Sequence, residues 1–294
     1  MTTVLLVRHG LTALTGPVLA GWTPGVSLDD KGQAQAEALA LRLAPVALDA
    51  IVTSPLERCT QTAAVIAVAR DGQVAAAVHL DERLGECHYG DWTGKQLKKL
   101  AEDPLWRVVQ VHPSAARFPG PDGETLPGMQ YRAVCAVRDW NAKLGTQACY
   151  LICSHGDVIK AIVADSLGLH LDQFQRIQID PCSLTVIKYT SLRPFLLRLN
   201  DTGGEVADLV AAGRASHENS DAMVGGGAGV AVHDAEDETS GGADTARSAA
   251  DTADGSVGAV GGMAETVGGT ADTAGSEAAG TGRLVRQMRA DAQG

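Results

Sequence analysis

Aromatic residues are absent from the last third of this chain. All eleven lie before Asp201, whereas 19 of the 34 glycines lie after it, among runs of Ala, Asp, Thr and Ser. A segment with so little large apolar surface cannot offset the conformational entropy that it would lose on folding. The sequence therefore predicts one folded domain over residues 1–200, followed by a low-complexity, disordered tail over residues 201–294.

An excess of positive charge is missing from the predicted domain. Residues 1–200 contain 19 Lys and Arg against 19 Asp and Glu, and residues 201–294 contain 5 against 16, so the whole net charge of −11 belongs to the tail. Binding to a nucleic-acid backbone needs a clustered positive surface. The neutral domain therefore argues against nucleic acid as a partner.

Signals for export, membrane insertion and metal binding are also lacking. The six cysteines form no CxxC pair and show no metal-ligand spacing, and the first residues lack a charged start followed by an apolar export segment. No apolar run approaches the roughly 18 residues that suggest a membrane span. We therefore expect a cytoplasmic, reduced protein that binds no metal, needs no cofactor and does not enter a membrane.

Short β-rich runs alternate with helical patterns through the first 200 residues, which is typical of an α/β fold with a mostly parallel sheet covered by helices. Strands are predicted at residues 4–7, 51–53, 74–80, 150–153, 183–189 and 195–199, and helices at 31–43, 55–69, 129–144 and 157–167. Segment 104–127 contains several Pro and Gly residues and is predicted to be irregular.

The tetrapeptide Ser54-Pro55-Leu56-Glu57 matches a helix capping box. Serine stands at the cap, proline at the first helical position and glutamate at the third. The pattern predicts that the second helix begins directly after Ser54.

Two histidines follow predicted strands at the edge where open α/β sheets bind ligands. His9 follows the first strand, and His155 follows the fourth at a helix start, where free backbone N–H groups favour an anion. Arg58 lies in the first turn after the second strand, and Arg8 precedes His9. Each residue alone has an ordinary structural explanation, but together they place two arginines and two histidines at one sheet edge.

This combination of motifs resembles the histidine phosphatase superfamily, the phosphoglycerate-mutase-like family. The resemblance spans residues 4 to about 189. It rests on five motifs that occur in the family's order: Arg8-His9-Gly10, Leu28-x-x-x-Gly32-x-x-Gln35-Ala36, Ser54-Pro55-Leu56-x-Arg58, Glu86 before Tyr89-Gly90-Asp91-Trp92, and Ser154-His155-Gly156. The resemblance implies a three-layer α/β/α sandwich of the phosphoglycerate-mutase-like type.

The resemblance also implies a reaction. His9 would form a phosphohistidine, and Glu86 would protonate the departing alkoxide and later deprotonate the water that hydrolyses the intermediate. The expected site residues are His9 and Glu86 for catalysis and, for the substrate phosphate, Arg8, Arg58, His155, Thr12 and Gly156. Glu124 is an alternative proton donor.

The motifs leave the acceptor of the phosphoryl group open. Mutases of this family carry additional basic residues, including an adjacent arginine pair after the glutamate loop, whereas this chain has only the isolated Arg107 and Arg117, and Cys87 stands where mutases carry arginine. Because a site for one particular anion needs paired, preorganised cations, we favour a phosphomonoester hydrolase. The alternative is a 2,3-bisphosphoglycerate-dependent phosphoglycerate mutase or a related phosphomutase.

A third interpretation is a non-catalytic phospho-ligand-binding protein. The presence of both His9 and Glu86 argues against it, because phosphate-binding residues alone would suffice for binding. The expected partner is a small-molecule phosphomonoester, whose identity the motifs leave open. A homodimer is compatible with the family resemblance, although no segment of the sequence marks an interface.

Overall fold

The computed structural model describes residues 1–69 and 77–203. Its strands are β1 (Thr2–Arg8), β2 (Ala50–Thr53), β3 (Val78–Leu80), β4 (Cys149–Ser154), β5 (Leu184–Tyr189) and β6 (Pro194–Asp201). Its α-helices are α1 (Asp30–Leu43), α2 (Glu57–Val68), α3 (Leu97–Leu100), α4 (Pro104–Val111), α5 (Leu126–Leu144) and α6 (Gly156–Leu167). Short 3₁₀ helices occupy Glu82–Leu84, Gly90–Trp92, Pro113–Ala115 and Leu171–Arg176.

The strands form one sheet in the order β3-β2-β4-β1-β5-β6. The pairs β1–β4, β2–β4 and β2–β3 are parallel, whereas β5 pairs antiparallel with both β1 and β6. The predicted mostly parallel sheet is therefore confirmed, with its antiparallel strands at one side.

Helices cover both faces of this sheet. Because side chains alternate along a strand, Val4 and Leu6 of β1 face a core built with α5 and α6, whereas Leu5 and Val7 face a second core built with α1 and α2. All four side chains are buried, and burying such a side chain is worth about 1.5–3 kcal/mol. This confirms the predicted three-layer α/β/α sandwich.

Local signals fix the ends of two helices as the sequence predicts. The side chain of Asp29 accepts a hydrogen bond from the backbone N–H of Gly32, which caps α1. Helix α6 ends before Gly168, whose left-handed backbone (φ 66°) suits a glycine. Helix α6 begins one residue earlier than predicted, at Gly156.

Two predictions about helices were wrong. Helix α2 begins at Glu57 and not after Ser54, because the backbone of Leu56 is still extended (φ −71°, ψ 138°). The Ser54 hydroxyl accepts a 3.3 Å hydrogen bond from Leu56 N–H before the helix and is also hydrogen-bonded to a histidine ring. Segment 104–127 is not irregular throughout, since α4 occupies Pro104–Val111. The side chain of Asp103 accepts a hydrogen bond from Leu105 N–H, and Pro104 stands at the first helical position, so the proline starts this helix and does not break it.

The described residues cover only part of two predicted segments. Of the strand predicted at 74–80, residues 74–76 lie outside the described part and residues 78–80 form β3. Of the tail predicted at 201–294, only residues 201–203 are described. Asp201 belongs to β6 and forms a 2.8 Å ion pair with Arg42, so the sheet extends one residue beyond the predicted domain end. Among the described helices, none is both long and apolar enough to cross a membrane.

Candidate active site

The carboxyl ends of three parallel strands bring the predicted residues together. In the β1–β4 pair, Arg8 lies opposite Ser154, and the N–H of His9 donates to the Ser154 carbonyl across 3.0 Å. Strand β2 lies on the other side of β4 and ends beside Cys153, which places Ser54 at the same edge. The order β2-β4-β1 therefore places the chain segments after all three strands next to one another.

His9 is held with one ring nitrogen available for chemistry. Its Nδ1 lies 2.7 Å from the carbonyl oxygen of Gly10, and because a carbonyl only accepts, Nδ1 carries the proton. The lone pair is then on Nε2, which accepts a 3.2 Å hydrogen bond from Nε of Arg58. Burial, followed by the charges of Arg58 and Arg8, lowers the pKa of His9 well below its usual range. The ring is thus neutral, as a nucleophile must be.

Arg58 connects the two histidines. Besides its contact with His9, its Nη2 donates to the Gly21 carbonyl across 2.8 Å and lies 3.2 Å from Nδ1 of His155. The side chain is buried. A buried guanidinium with several donors at one sheet edge suits the planar recognition of phosphoryl oxygens.

His155 is fully buried and anchored by Ser54. Because Arg58 can only donate, Nδ1 of His155 accepts and Nε2–H donates to the Ser54 hydroxyl across 2.8 Å. The His155 and His9 rings meet edge to face, with centroids 5.2 Å apart. Burial, then the charge of Arg58, lowers the pKa of His155 well below its usual range.

Arg8 is buried beside the same ring pair. Its Nη1 donates to the Ile179 carbonyl across 2.8 Å. Burial lowers the pKa of Arg8, and the nearby charge of Glu86 opposes this shift. Arg8 therefore brings a second positive charge to the pocket.

Glu86 lies 3.9 Å from the ring of His155, measured from Oε2 to Nδ1. Its Oε1 accepts a 3.0 Å hydrogen bond from the backbone N–H of Cys87. Burial and the negative charge of Asp157 raise the pKa of Glu86 to about 7, although Arg58 and Arg8 lower it. A carboxyl group with such a pKa can both deliver and accept a proton at neutral pH.

One pocket joins most of these side chains. The residues that line it include Arg8, His9, Thr12, Arg58, Glu86 and Tyr89. Thr12 shares a 2.9 Å hydrogen bond with Thr15, which also lines the pocket. Gly156, the buried first residue of α6, and His155 are not among the described residues that line this pocket, although the His155 ring contacts the lining residue Arg58.

Arg132 supports the segment that carries Glu86, and the sequence analysis missed this role. Its guanidinium donates to the carbonyl oxygens of Arg83, Gly85 and Glu86 at 2.7–2.9 Å. The carboxylate of Glu124 accepts from Arg132 at 2.7 and 2.8 Å. Glu124, the alternative proton donor, is therefore engaged with Arg132, and it does not line the pocket. The isolated position of Arg132 in a helical pattern gave no sequence signal for these contacts.

A second groove adjoins the pocket. It has a volume of about 490 Å³ and is lined by Trp22, His88, Gly90, Asp91, Thr93, Pro121 and Asp122. The rings of Trp22 and His88 stack with centroids 4.4 Å apart, and Trp22 Nε1–H donates to the Glu86 carbonyl across 2.6 Å. His88, which follows the glutamate by two residues, therefore faces this groove.

Within residues 1–69 and 77–203, no group of three or more His, Cys, Asp or Glu side chains is arranged to hold a metal ion. The chemistry of the described pocket is that of two guanidinium groups, a neutral histidine and a buried carboxyl group. Such a set can bind a phosphoryl group, attack it and protonate the oxygen that leaves.

Comparison with known proteins points in the same direction. The family model of the histidine phosphatase superfamily (branch 1) matches residues 4–202. A probable phosphoglycerate mutase GpmB from Erwinia tasmaniensis is 30% identical over 213 residues, covering 71% of this chain and 95% of that protein. Phosphoserine phosphatase 1 from Hydrogenobacter thermophilus is 29% identical over 208 residues, covering 69% of this chain and 93% of that protein.

Among solved structures, a mutant of a phosphoserine phosphatase from Entamoeba histolytica in complex with phosphoserine aligns with a TM-score of 0.60 at 25% identity. The alignment covers 69% of this chain and 98% of that one. The curated relatives thus include both a mutase and a phosphatase, and the pocket itself must distinguish between the two reactions.

Proposed function

This chain belongs to branch 1 of the histidine phosphatase superfamily, whose members among the relatives above are phosphatases and phosphomutases, and we propose that it hydrolyses a small phosphomonoester through a phosphohistidine on His9. The enzyme class requires no metal ion. The site residues are the seven predicted from the motifs, with His9 as nucleophile and Glu86 as proton donor.

The charge of the pocket lining is the observation that carries the choice of hydrolysis. Arg8 and Arg58 are the only arginines or lysines among the described residues that line it. Both are needed for one phosphoryl group, which leaves no further guanidinium or ammonium group there for a substrate carboxylate or a second phosphate. The adjoining groove adds Asp91 and Asp122, which would repel an anionic leaving group.

In the first half-reaction, Nε2 of His9 attacks phosphorus, and the bond from phosphorus to the ester oxygen breaks. The guanidinium of Arg58 gives up its contact with Nε2 and turns its donors to the phosphoryl oxygens, together with Arg8. A phosphate dianion favours protonation of Nδ1 of His155, which takes a proton from solvent, becomes a donor to the same group and returns the proton to solvent when phosphate leaves. Glu86 transfers its proton to the departing alkoxide.

In the second half-reaction, water attacks the phosphorus of phosphohistidine. Glu86, now ionised, takes a proton from that water, and the bond between phosphorus and nitrogen breaks. Inorganic phosphate is released, Nε2 recovers its lone pair and Glu86 recovers its proton. The 3.9 Å separation of Glu86 from the ring of His155 supports a carboxyl group at the edge of the phosphoryl site.

A panel of phosphomonoesters tests this proposal. Phosphate release is measured in EDTA for the wild-type protein, for His9→Ala and for His170→Ala, an exposed histidine that serves as the matched control. The proposal predicts activity in EDTA that is lost in His9→Ala and retained in His170→Ala. Activity that survives His9→Ala would remove His9 from the mechanism.

A phosphomutase is the second candidate, favoured by the similarity to the probable phosphoglycerate mutase. The panel therefore includes 3-phosphoglycerate with and without 2,3-bisphosphoglycerate. Formation of 2-phosphoglycerate without release of phosphate would establish the mutase. Hydrolysis that 2,3-bisphosphoglycerate does not stimulate supports the phosphatase.

The substrate is a small molecule and not nucleic acid, because residues 1–200 have no excess of positive charge for binding a nucleic-acid backbone. A cytoplasmic location fits the six free thiols.

A homodimer is supported by edge strand β6, where Phe195, Leu197 and Leu199 share one exposed apolar face. Light scattering tests the dimer: a mass of one chain would exclude it.

A further inference from the structure

Asp157 is a buried carboxylate that lies outside the residues assigned above. It is the second residue of α6, directly after the His155-Gly156 turn, and is 1% exposed. The hydroxyl group of Tyr89 donates to its Oδ2 across 2.9 Å, and Nζ of Lys160, one helical turn later, lies 3.6 Å from its Oδ1. Tyr89 also lines the catalytic pocket, so this network touches the site without contributing Asp157 to its surface.

Three features of this environment stabilise a negative charge on Asp157. The carboxylate lies in the first turn of a twelve-residue helix, where the helix dipole favours an anion. The Tyr89 hydroxyl donates a hydrogen bond, and the Lys160 ammonium provides an opposite charge. Both partners are themselves buried, which limits screening by solvent.

Glu86 has a different environment. Its Oε1 accepts one backbone hydrogen bond, from Cys87 N–H. Glu86 lies between two short 3₁₀ helices and not at the start of a helix. Burial and the charge of Asp157 raise its pKa to about 7, against the opposing charges of Arg58 and Arg8. The two carboxyl groups lie on either side of shared neighbours: Tyr89, three residues after Glu86, donates to Asp157 across 2.9 Å, and His155, two residues before Asp157, has its ring 3.9 Å from Glu86. When neighbouring carboxyl groups have environments that differ in this way, one carries the charge and the other carries the proton.

We propose that Asp157 is a positioning residue whose fixed negative charge, held by Tyr89 and Lys160, keeps the catalytic proton on Glu86 until the leaving oxygen takes it. The inference rests on the proposed function, because it assigns the proton that the reaction uses. The titratable and charged groups around the two carboxyl groups come from β1 and the residue after it, α2, the 86–89 segment, α5, and α6 with its N-cap residue. They are Arg8, His9, Arg58, Cys87, Tyr89, Arg132, His155 and Lys160.

The proposal makes the effect of Asp157 depend on the leaving group. An alkoxide leaves poorly without a proton, so an alkyl phosphomonoester needs protonated Glu86. The p-nitrophenolate ion leaves without one. The constant kcat/KM reports the steps up to and including the first irreversible one, which here is departure of the leaving group. A change in the protonation of Glu86 therefore alters kcat/KM for the alkyl ester and leaves kcat/KM for p-nitrophenyl phosphate nearly unchanged.

The test compares wild type with Asp157→Asn, which removes the charge and keeps an oxygen that accepts from Tyr89. For an alkyl phosphomonoester, the alkaline limb of the kcat/KM profile should move to lower pH by about one unit. At pH 7.5 the alkyl ester should lose up to about tenfold in kcat/KM, whereas p-nitrophenyl phosphate should change less than about twofold. Profiles of Asp157→Asn and wild type that superimpose would overturn the proposal.

Asp165→Asn is the matched control, since it makes the same chemical change in α6 at a residue paired with the exposed Arg138. Its profile should superimpose on that of wild type. An equal move of the alkaline limb to lower pH in this control would show that the shift follows from the helix and not from Asp157, which would also overturn the proposal.

If Asp157→Asn does not fold, a measurement on the wild-type protein tests the same proposal. Carbon-13 NMR at pH 6, assigned with Glu86→Gln, should show Glu86 as a carboxylic acid and Asp157 as a carboxylate. A protonated Asp157 beside an ionised Glu86 would overturn the inference. This result does not depend on activity, so a wild-type protein that hydrolyses no phosphomonoester would refute the proposed function alone.

Discussion

Nε of Arg58 donates a hydrogen bond to Nε2 of His9 across 3.2 Å. The lone pair that would attack phosphorus is therefore held by the guanidinium that would bind the phosphoryl oxygens. A substrate must replace this contact before the reaction can start, and its phosphate provides better acceptors for the same donors. In the proposed mechanism, phosphate binding and release of the nucleophile are thus coupled through a single side chain.

Arg58→Lys tests this coupling. Lysine keeps the positive charge but loses the planar set of donors that reaches His9, Gly21 and His155. We expect kcat/KM to fall about 10²–10³-fold, the usual effect of removing a donor that stabilises the transition state. Arg107→Lys, at an exposed position in α4, is the control and should keep wild-type activity. A loss below about threefold in Arg58→Lys would show that charge alone suffices.

The dependence of kcat/KM on pH should have an alkaline limb near pH 7. Glu86 must carry its proton to serve as an acid, and its pKa in the free enzyme is raised to about 7 by burial and by Asp157. Because the pKa of His9 is well below its usual range, the ring stays neutral throughout this pH range. The acid limb is therefore set by the ionisation of the substrate phosphate, near pH 6. Glu86→Gln should abolish the alkaline limb; its persistence would assign the limb to another group.

Glu86 should also lower the stability of the protein at alkaline pH. Between pH 4.5 and 7 the unfolded chain has released the Glu86 proton while the native state still holds it, so the free energy of unfolding falls as the pH rises. The shift from 4.5 to about 7 corresponds to about 3 kcal/mol.

Denaturant unfolding of Glu86→Gln at pH 4.5 and pH 8 measures this effect. Glutamine cannot ionise, so the stability of the variant relative to wild type should increase by about 3 kcal/mol from the lower to the higher pH. If the free energies of unfolding of the variant and wild type differ by the same amount at both pH values, Glu86 has the same pKa in the folded and unfolded chain.

Arg132→Met should destabilise the protein and impair catalysis together. The variant removes the donors for Arg83, Gly85 and Glu86 and leaves the carboxylate of Glu124 without its partner. We expect a loss of about 3 kcal/mol in the free energy of unfolding, typical of a broken, largely buried ion pair. Arg138→Met, at an exposed position on the same helix, should lose less than about 1 kcal/mol. Similar losses in both variants would contradict the bracing role of Arg132.

The residues at strand ends could be predicted from the sequence because their local signals are strong. A buried apolar run followed by Arg8-His9-Gly10 or Ser154-His155-Gly156 fixes both the strand and the edge at which its last residues lie. The parallel register then brings Arg8 beside Ser154. Gly32 and Gln35 of the second motif hold α1 against the segment after His9, since α1 packs against the backbone of Leu11 only where Gly32 lacks a Cβ, and Gln35 accepts from Leu11 N–H across 3.2 Å.

Other contacts join segments that are distant in sequence, and no local pattern could predict them. Ser54 has the sequence of a helix cap, but its hydroxyl bonds with His155, 101 residues away. Arg132 contacts carbonyl oxygens more than 45 residues before it. Helix α4 was missed because the Pro and Gly residues of segment 104–127 indicate turns, whereas Asp103 and Pro104 start a helix at its beginning. The residues that tune and hold Glu86 are therefore visible only in the folded chain.

The central claim is that His9 carries the phosphoryl group, and trapping the phosphoenzyme tests it most directly. Wild-type protein is mixed with a ³²P-labelled phosphomonoester, quenched within milliseconds in alkali and digested, and the labelled peptide is sequenced. The account predicts an acid-labile, alkali-stable label on the peptide that contains His9, and none in His9→Ala. A label on another residue, or turnover with no label in wild type, would contradict it.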